Sequence, residues 1–200
     1  MKTIDNATFV DKVVAQLRKT AIDLEEFQVK ASLGKAEATD KYEEIKKKFN
    51  LFIHETKNKI ELGKEKITDM NTMFDELIVQ LALGKAESKD AFKEQKKKLL
   101  HKLHDIEVKI KTNETLNSIY AYVLIEIEMF RVQLEILEKN FEKGKDGVKT
   151  AFEKSKKEFN EMIEKIKSKY SGKKKETQWE HFQNEISEAF GHFKQAFSKA

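Results

Sequence analysis

A stretch of 200 residues without one proline constrains the fold more than any other feature of this chain. Proline is about 5% of average usage, and it breaks helices because its ring fixes φ and removes a backbone donor. Its complete absence points to long helices with little punctuation, so the sequence predicts an all-α fold.

The chain is internally repeated. Leu24 to Phe49 matches Phe74 to Leu99 at an offset of 50, with the shared residues concentrated in LGKAEATDKYEEIKKKF (Leu33 to Phe49) and LGKAESKDAFKEQKKKL (Leu83 to Leu99). A third, degraded copy runs from Leu134 to Phe159, with Gly144 in the place of Gly34 and Gly84. In the first copy, Leu24, Phe27, Ala31, Gly34, Ala38, Tyr42, Ile45 and Phe49 recur in steps of three and four, which is one face of a helix. The second copy repeats the seam through Phe74, Leu77, Leu81, Gly84, Phe92 and Leu99, and the third through Leu134, Leu137, Phe141, Gly144, Phe152 and Phe159. Each seam passes its glycine without a change of phase.

Two readings of those glycines follow. Glycine commonly closes a helix, so LGK could end one helix before the next begins. The unbroken seam favours the other reading, in which Gly34, Gly84 and Gly144 sit in mid-helix as points of close helix approach. Turn signals lie elsewhere, at NKIELG (Asn58 to Gly63), at Thr112 to Thr115 and at Ser171-Gly172. The midpoint of Gly34 and Gly84 is 59 and that of Gly84 and Gly144 is 114, each on or beside one of these turns. The expected architecture is therefore a single domain over residues 1–200. It is an elongated antiparallel bundle with coiled-coil-like packing, built from three long helices and a shorter C-terminal fourth. Their bounds are about 5–60, 65–112, 115–170 and 173–199, and at 1.5 Å per residue the rod is about 80 Å long.

The fourth helix is too short to cover the whole rod, and the most apolar segment, Leu116 to Leu137, carries two seams. One is Leu116, Tyr120, Val123, Ile127, Phe130, Leu134 and Leu137. The other is Tyr122, Ile125, Met129, Val132 and Ile136, facing nearly the opposite way. Either this helix lies centrally between two others or the fourth helix docks differently, or the second seam is a partner interface for a homo-oligomer or a helical protein partner.

Reactive chemistry is hard to find. There is no cysteine, hence no thiolate nucleophile and no Cys-based metal site. None of the five histidines lies three residues after an acidic residue, so the Glu-x-x-His signature of di-iron bundles is missing. The expectation is no catalytic residue, no cofactor and no metal. Charge nearly balances, 39 basic against 35 acidic residues, and acidic neighbours dilute the clusters Lys46 to Lys48 and Lys96 to Lys98. Those clusters read as solvated faces, with Lys47 and Lys97 in different halves of the rod, so nucleic acid is not an expected partner. No uncharged apolar run approaches a membrane span and the N-terminal residues lack a signal-peptide pattern, so a cytoplasmic location is expected.

The LGKAE element, followed by Asp40 or Asp90, an aromatic at Tyr42 or Phe92 and a lysine triplet, resembles a motif of uncharacterised bacterial coiled-coil, long-helix proteins. It covers about a quarter of the chain, and it implies long helices without a known activity. In general character the organisation is also similar to apolipoprotein-like and phasin-like amphipathic proteins, although apolipoprotein repeats are punctuated by proline. The expected function is a non-enzymatic helical interaction or scaffold protein that self-associates. The alternative is an amphipathic protein that coats a lipid or granule surface.

Overall fold

The computed structural model describes residues 6–31, 35–62, 69–83, 88–112, 118–143, 145–170 and 179–198. Almost all of these are helical, and no strand occurs among them. The helices are α1 (Asn6–Ala31), α2 (Lys35–Leu62), α3 (Met70–Ala82), α4 (Lys89–Lys111), α5 (Ser118–Lys143), α6 (Lys145–Tyr170) and α7 (Trp179–Ser198). Each buries the seam that its spacing marks. Leu24, Phe27, Ala31, Ala38, Tyr42, Ile45 and Phe49 are all buried, as are Phe74, Leu77, Leu81, Phe92 and Leu99 and, in the third copy, Leu134, Leu137, Phe152 and Phe159.

Side-chain pairs fix the direction of each helix. Between α3 and α4, Glu76 meets Lys102 at 2.5 Å and Asp69 meets Lys109 at 3.8 Å, so the two run antiparallel. Between α4 and α5, Phe92 packs on Phe141, Lys96 meets Glu135 and Glu107 meets Arg131, again antiparallel. The Tyr42 ring packs against Phe92, itself against Phe141, while Phe49 stacks on Phe130 at 4.5 Å; α2 is thus antiparallel to α5 and parallel to α4. By contrast α1 runs parallel to α5, since Gln16 meets Glu126 and Asn140 meets Ala31. Helix α6 opposes α1 through Glu25 with Lys156 and Arg18 with Glu164, and α7 opposes α6 through Phe159 with Phe190 and Tyr170 with Phe182.

The seven helices therefore alternate in direction along the chain, and this overturns the expectation of three long helices and a short fourth. The spans 5–60, 65–112 and 115–170 each contain two helices running in opposite directions. Helix length is then at most 28 residues, about 42 Å, in place of an 80 Å rod. In the second copy the break is visible at atomic detail. Leu83 leaves α3 in an extended conformation, and Ser88 caps α4 by accepting the Ala91 N–H on its side-chain oxygen at 3.1 Å. Gly34, Gly84 and Gly144 themselves lie outside the described residues; the helices on either side, α1 and α2, α3 and α4, α5 and α6, run in opposite directions. The seam kept its phase because periodicity reports which face of a helix points inward, not which way the helix runs. A hairpin that keeps the same face on a common core leaves the spacing intact.

Packing forms two four-helix groups. One is α1, α5, α7 and α6; the other is α2, α3, α4 and α5. Helix α5 belongs to both, and one apolar cluster runs through the two groups across it.

Candidate functional site

Helix α5 carries the residues for which the sequence suggests a role. Of the second seam, Ile125, Val132 and Ile136 are fully buried, and Tyr122 and Met129 are partly buried against the core. The first seam is buried too, at Tyr120, Val123, Ile127, Phe130, Leu134 and Leu137. A helix apolar on every side belongs inside a fold, and α1, α2, α4 and α7 all pack on this one. Within the seam Tyr122, Ile125, Met129, Val132 and Ile136, the chain's own helices thus cover Ile125, Val132 and Ile136 fully and Tyr122 and Met129 in part. Helix α5 lies centrally, as one of the sequence readings has it.

Charge inside this apolar shell is concentrated where α4, α5 and α7 meet. Arg131 Nη1 lies 2.6 Å from Glu107 Oε2 and 3.2 Å from Glu128 Oε1. Glu107 is also bound by Lys111 at 2.6 Å, and Glu128 by Lys194 at 2.7 Å. Lys111 donates in addition to the Ser187 hydroxyl at 3.1 Å. Burial works to raise the Glu107 carboxyl, but the Lys111 and Arg131 cations outweigh it and hold the group below the usual carboxylate range. A second tie joins α4 to α5 nearer the hairpin end, where Lys96 bridges Glu135 and Glu138.

Lys96 and its repeat equivalent Lys46 are both buried, the latter paired with Glu43 at 3.0 Å and lying over the Tyr42 ring. This corrects the view of the lysine triplets as solvated throughout. It also corrects their levels: α2 and α4 are parallel with Tyr42 against Phe92, so Lys47 and Lys97 share a level.

Glu126 is the exception among these acidic groups. Its Oε1 accepts a hydrogen bond from Gln16 Nε2 of α1 at 2.9 Å. Burial pushes its carboxyl up to about 7, with Gln16 and Lys19 working against the rise and Asp23 adding to it.

The histidines are dispersed. His101 faces Asp105 at 3.4 Å on the surface of α4, and His192 of α7 meets Glu158 of α6 at 3.0 Å. Among the described residues no group of three or more His, Cys, Asp or Glu side chains is placed to hold a metal. The groove beside the α3–α4 hairpin is lined by Gln80, Leu83, Ala91, Glu94, Gln95 and Lys98, and it brings no acid, base and nucleophile together. What the polar interior does is fasten helices. The sequence held a signal for it: Arg131 is one of two arginines in the chain, and it stands in the most apolar segment three residues after Glu128. No helix among the described residues is long and apolar enough to cross a membrane.

The chain matches no protein-family model, no curated protein and no solved structure.

Proposed function

We propose that this chain is a non-enzymatic, cytoplasmic helical interaction or scaffold protein that works as a homo-oligomer or with a helical protein partner. One observation carries the reading: at the α4–α5–α7 junction the buried Glu107 of α4 is paired with Arg131 of α5, and the buried Glu128 of α5 with Lys194 of α7. Polar groups that an active site would hold free in a cleft are here used to set helix against helix. Contact with a partner then falls to the outer faces, where Ile22, Val29, Leu51, Val79 and Leu83 are more than half exposed. Light scattering over a concentration series tests this. Oligomers are expected, and a strictly monomeric species at high micromolar concentration would remove self-association from the proposal.

A second reading is an amphipathic protein that opens on a lipid or granule surface. Helix α7 favours it, because Phe182, Phe190, Phe193 and Phe197 form one wholly buried face that would transfer to an apolar surface if the bundle opened. Co-sedimentation with neutral and with anionic liposomes separates the two readings. Absence of binding to both compositions disposes of the lipid surface.

A further inference from the structure

Helix α1 sits apart from the helix that follows it. It packs chiefly on α5 and α6 and only lightly on α2. Its polar ties follow the same division: Gln16 donates to Glu126 and the Ala31 carbonyl accepts from Asn140 on α5, while Arg18 meets Glu164 and Glu25 meets Lys156 on α6. Phe9 adds a ring contact with Phe182 of α7 at 5.4 Å. Helix α1 thus belongs to one four-helix group and α2 to the other, and only residues 32–34 separate them in the chain.

We infer that α1 is exchanged between two copies of this chain: α1 and α2 become one continuous helix over residues 6–62, and α1 of each copy fills the place on α5 and α6 of the other. This rests on the self-association proposed above and replaces contact of outer faces by exchange of a helix.

Direction and phase both suit the exchange. Because α2 runs opposite to α1, straightening the link carries α1 beyond the end of its own bundle, along the line of α2. A two-fold axis at the level of the link, running from the α1–α2 pair towards α5, sets the two copies end to end. It brings the α1 place of the second copy into line with α2, in the direction that the carried-out α1 runs, and it keeps both cores on one side of the long helix. Such a helix must present its inward face without a change of phase across the link. Leu24, Phe27, Ala31, Gly34, Ala38 and Tyr42 do this in steps of three and four, and no proline interrupts the stretch. A hairpin tolerates that phase but does not need it.

The other repeats are held in place. Helices α3 and α4 pack closely on each other, and the Ser88 cap starts α4 afresh. Helix α5 is enclosed by both groups. For α1, the contacts with α5, α6 and α7 are all regained on the second copy, and little is given up with α2. Exchange of an identical element is a low-cost route to a dimer.

The chain has no cysteine, so cross-linking reads the exchange directly. Chains carrying Arg18→Cys are unfolded together with chains carrying Glu164→Cys, refolded at high micromolar concentration and treated with a short bis-maleimide. The two side chains are 50% and 62% exposed, so neither change disturbs the core. In the dimer fraction from size exclusion, covalent pairs of one chain of each kind are expected. A dimer without mixed pairs overturns the exchange and leaves self-association through an outer face standing, whereas a chain that stays monomeric removes both. Two link variants give a second readout. Gly34→Ala gives the long helix alanine's preference over glycine at both links, about 5-fold apiece, so the dimerisation constant should rise about 25-fold. A Gly-Ser insert after Leu33 interrupts the long helix and should lower the constant below wild type. A dimerisation constant that responds to neither variant would also overturn the inference.

Discussion

Replacing Arg131 by methionine tests whether the charged junction holds the helices as its geometry implies. The methionine fills most of the apolar stem's volume but removes the guanidinium from Glu107 and Glu128, whose side chains are only 11% and 2% exposed. Breaking a buried pair and stranding a charge typically costs about 3–5 kcal/mol. Here neither carboxylate is fully stranded, because Lys111 stays on Glu107 and Lys194 on Glu128. The expected loss is therefore lower, about 2–3 kcal/mol, and urea unfolding followed by far-ultraviolet circular dichroism at pH 7 measures it. Adding Glu107→Gln removes one of the two charges left behind, so the double variant should recover about 1 kcal/mol relative to the sum of the single losses. The junction also has a pH signature. The Glu107 carboxyl is lowered in the fold, so its contribution is present above the ordinary carboxylate value of 4.5 and is lost as pH falls through the lower folded value. Arg131→Met should flatten that acid-side loss. A cost below about 0.5 kcal/mol, or strict additivity with Glu107→Gln, would refute the assignment of the network as a helix tie.

Three further outcomes are expected. Gly191 lies inside α7, and a Cβ there meets nothing within 4 Å; Gly191→Ala should raise stability by about 0.5–1 kcal/mol, seen as a higher midpoint in thermal unfolding. Ser88→Ala should cost about 1 kcal/mol through loss of the cap to Ala91, and Ser88→Asp, which keeps the acceptor, should cost much less. In small-angle X-ray scattering the monomer's longest dimension should fall well below 80 Å, since the longest helix spans about 42 Å; a rod near 80 Å would contradict the folded hairpins.

How much of this was legible in the sequence depends on what a spacing can encode. The inward faces were readable because a seam of threes and fours records rotation about a helix axis, and Leu24, Tyr42, Phe92 and Phe159 are buried accordingly. Turns between repeats were readable from local chemistry: α4 ends at Lys111 beside the Thr112–Thr115 signal, and α6 ends at Tyr170 before Ser171-Gly172. Turns within repeats also had a local signal in the LGK glycine, but the unbroken seam argued against it, because reversing a helix while keeping its inward face does not disturb the spacing. Ser88 illustrates the difficulty: it falls on the seam's spacing, yet it acts as the cap of α4. The central place of α5 was one of several open readings, because apolar residues on two faces announce burial without naming what covers them. The second tie between α4 and α5 was hardest to see. Lys96 is chemically indistinguishable from its neighbours Lys97 and Lys98, and only the packing of α4 on α5 makes one a buried tie and leaves the others exposed.

The parallel pairing of α1 with α5 sets a timetable for synthesis. Gln16 and Glu126 are separated by 110 residues, so at 5–20 residues per second α1 waits roughly 5–20 s for the surface it covers. During that interval the neighbouring helices α3 and α4, whose contacts are local, can already close into a hairpin. Helix α1 is thus made well before the helix it covers, and for those seconds its apolar face is available to another nascent copy on the same message.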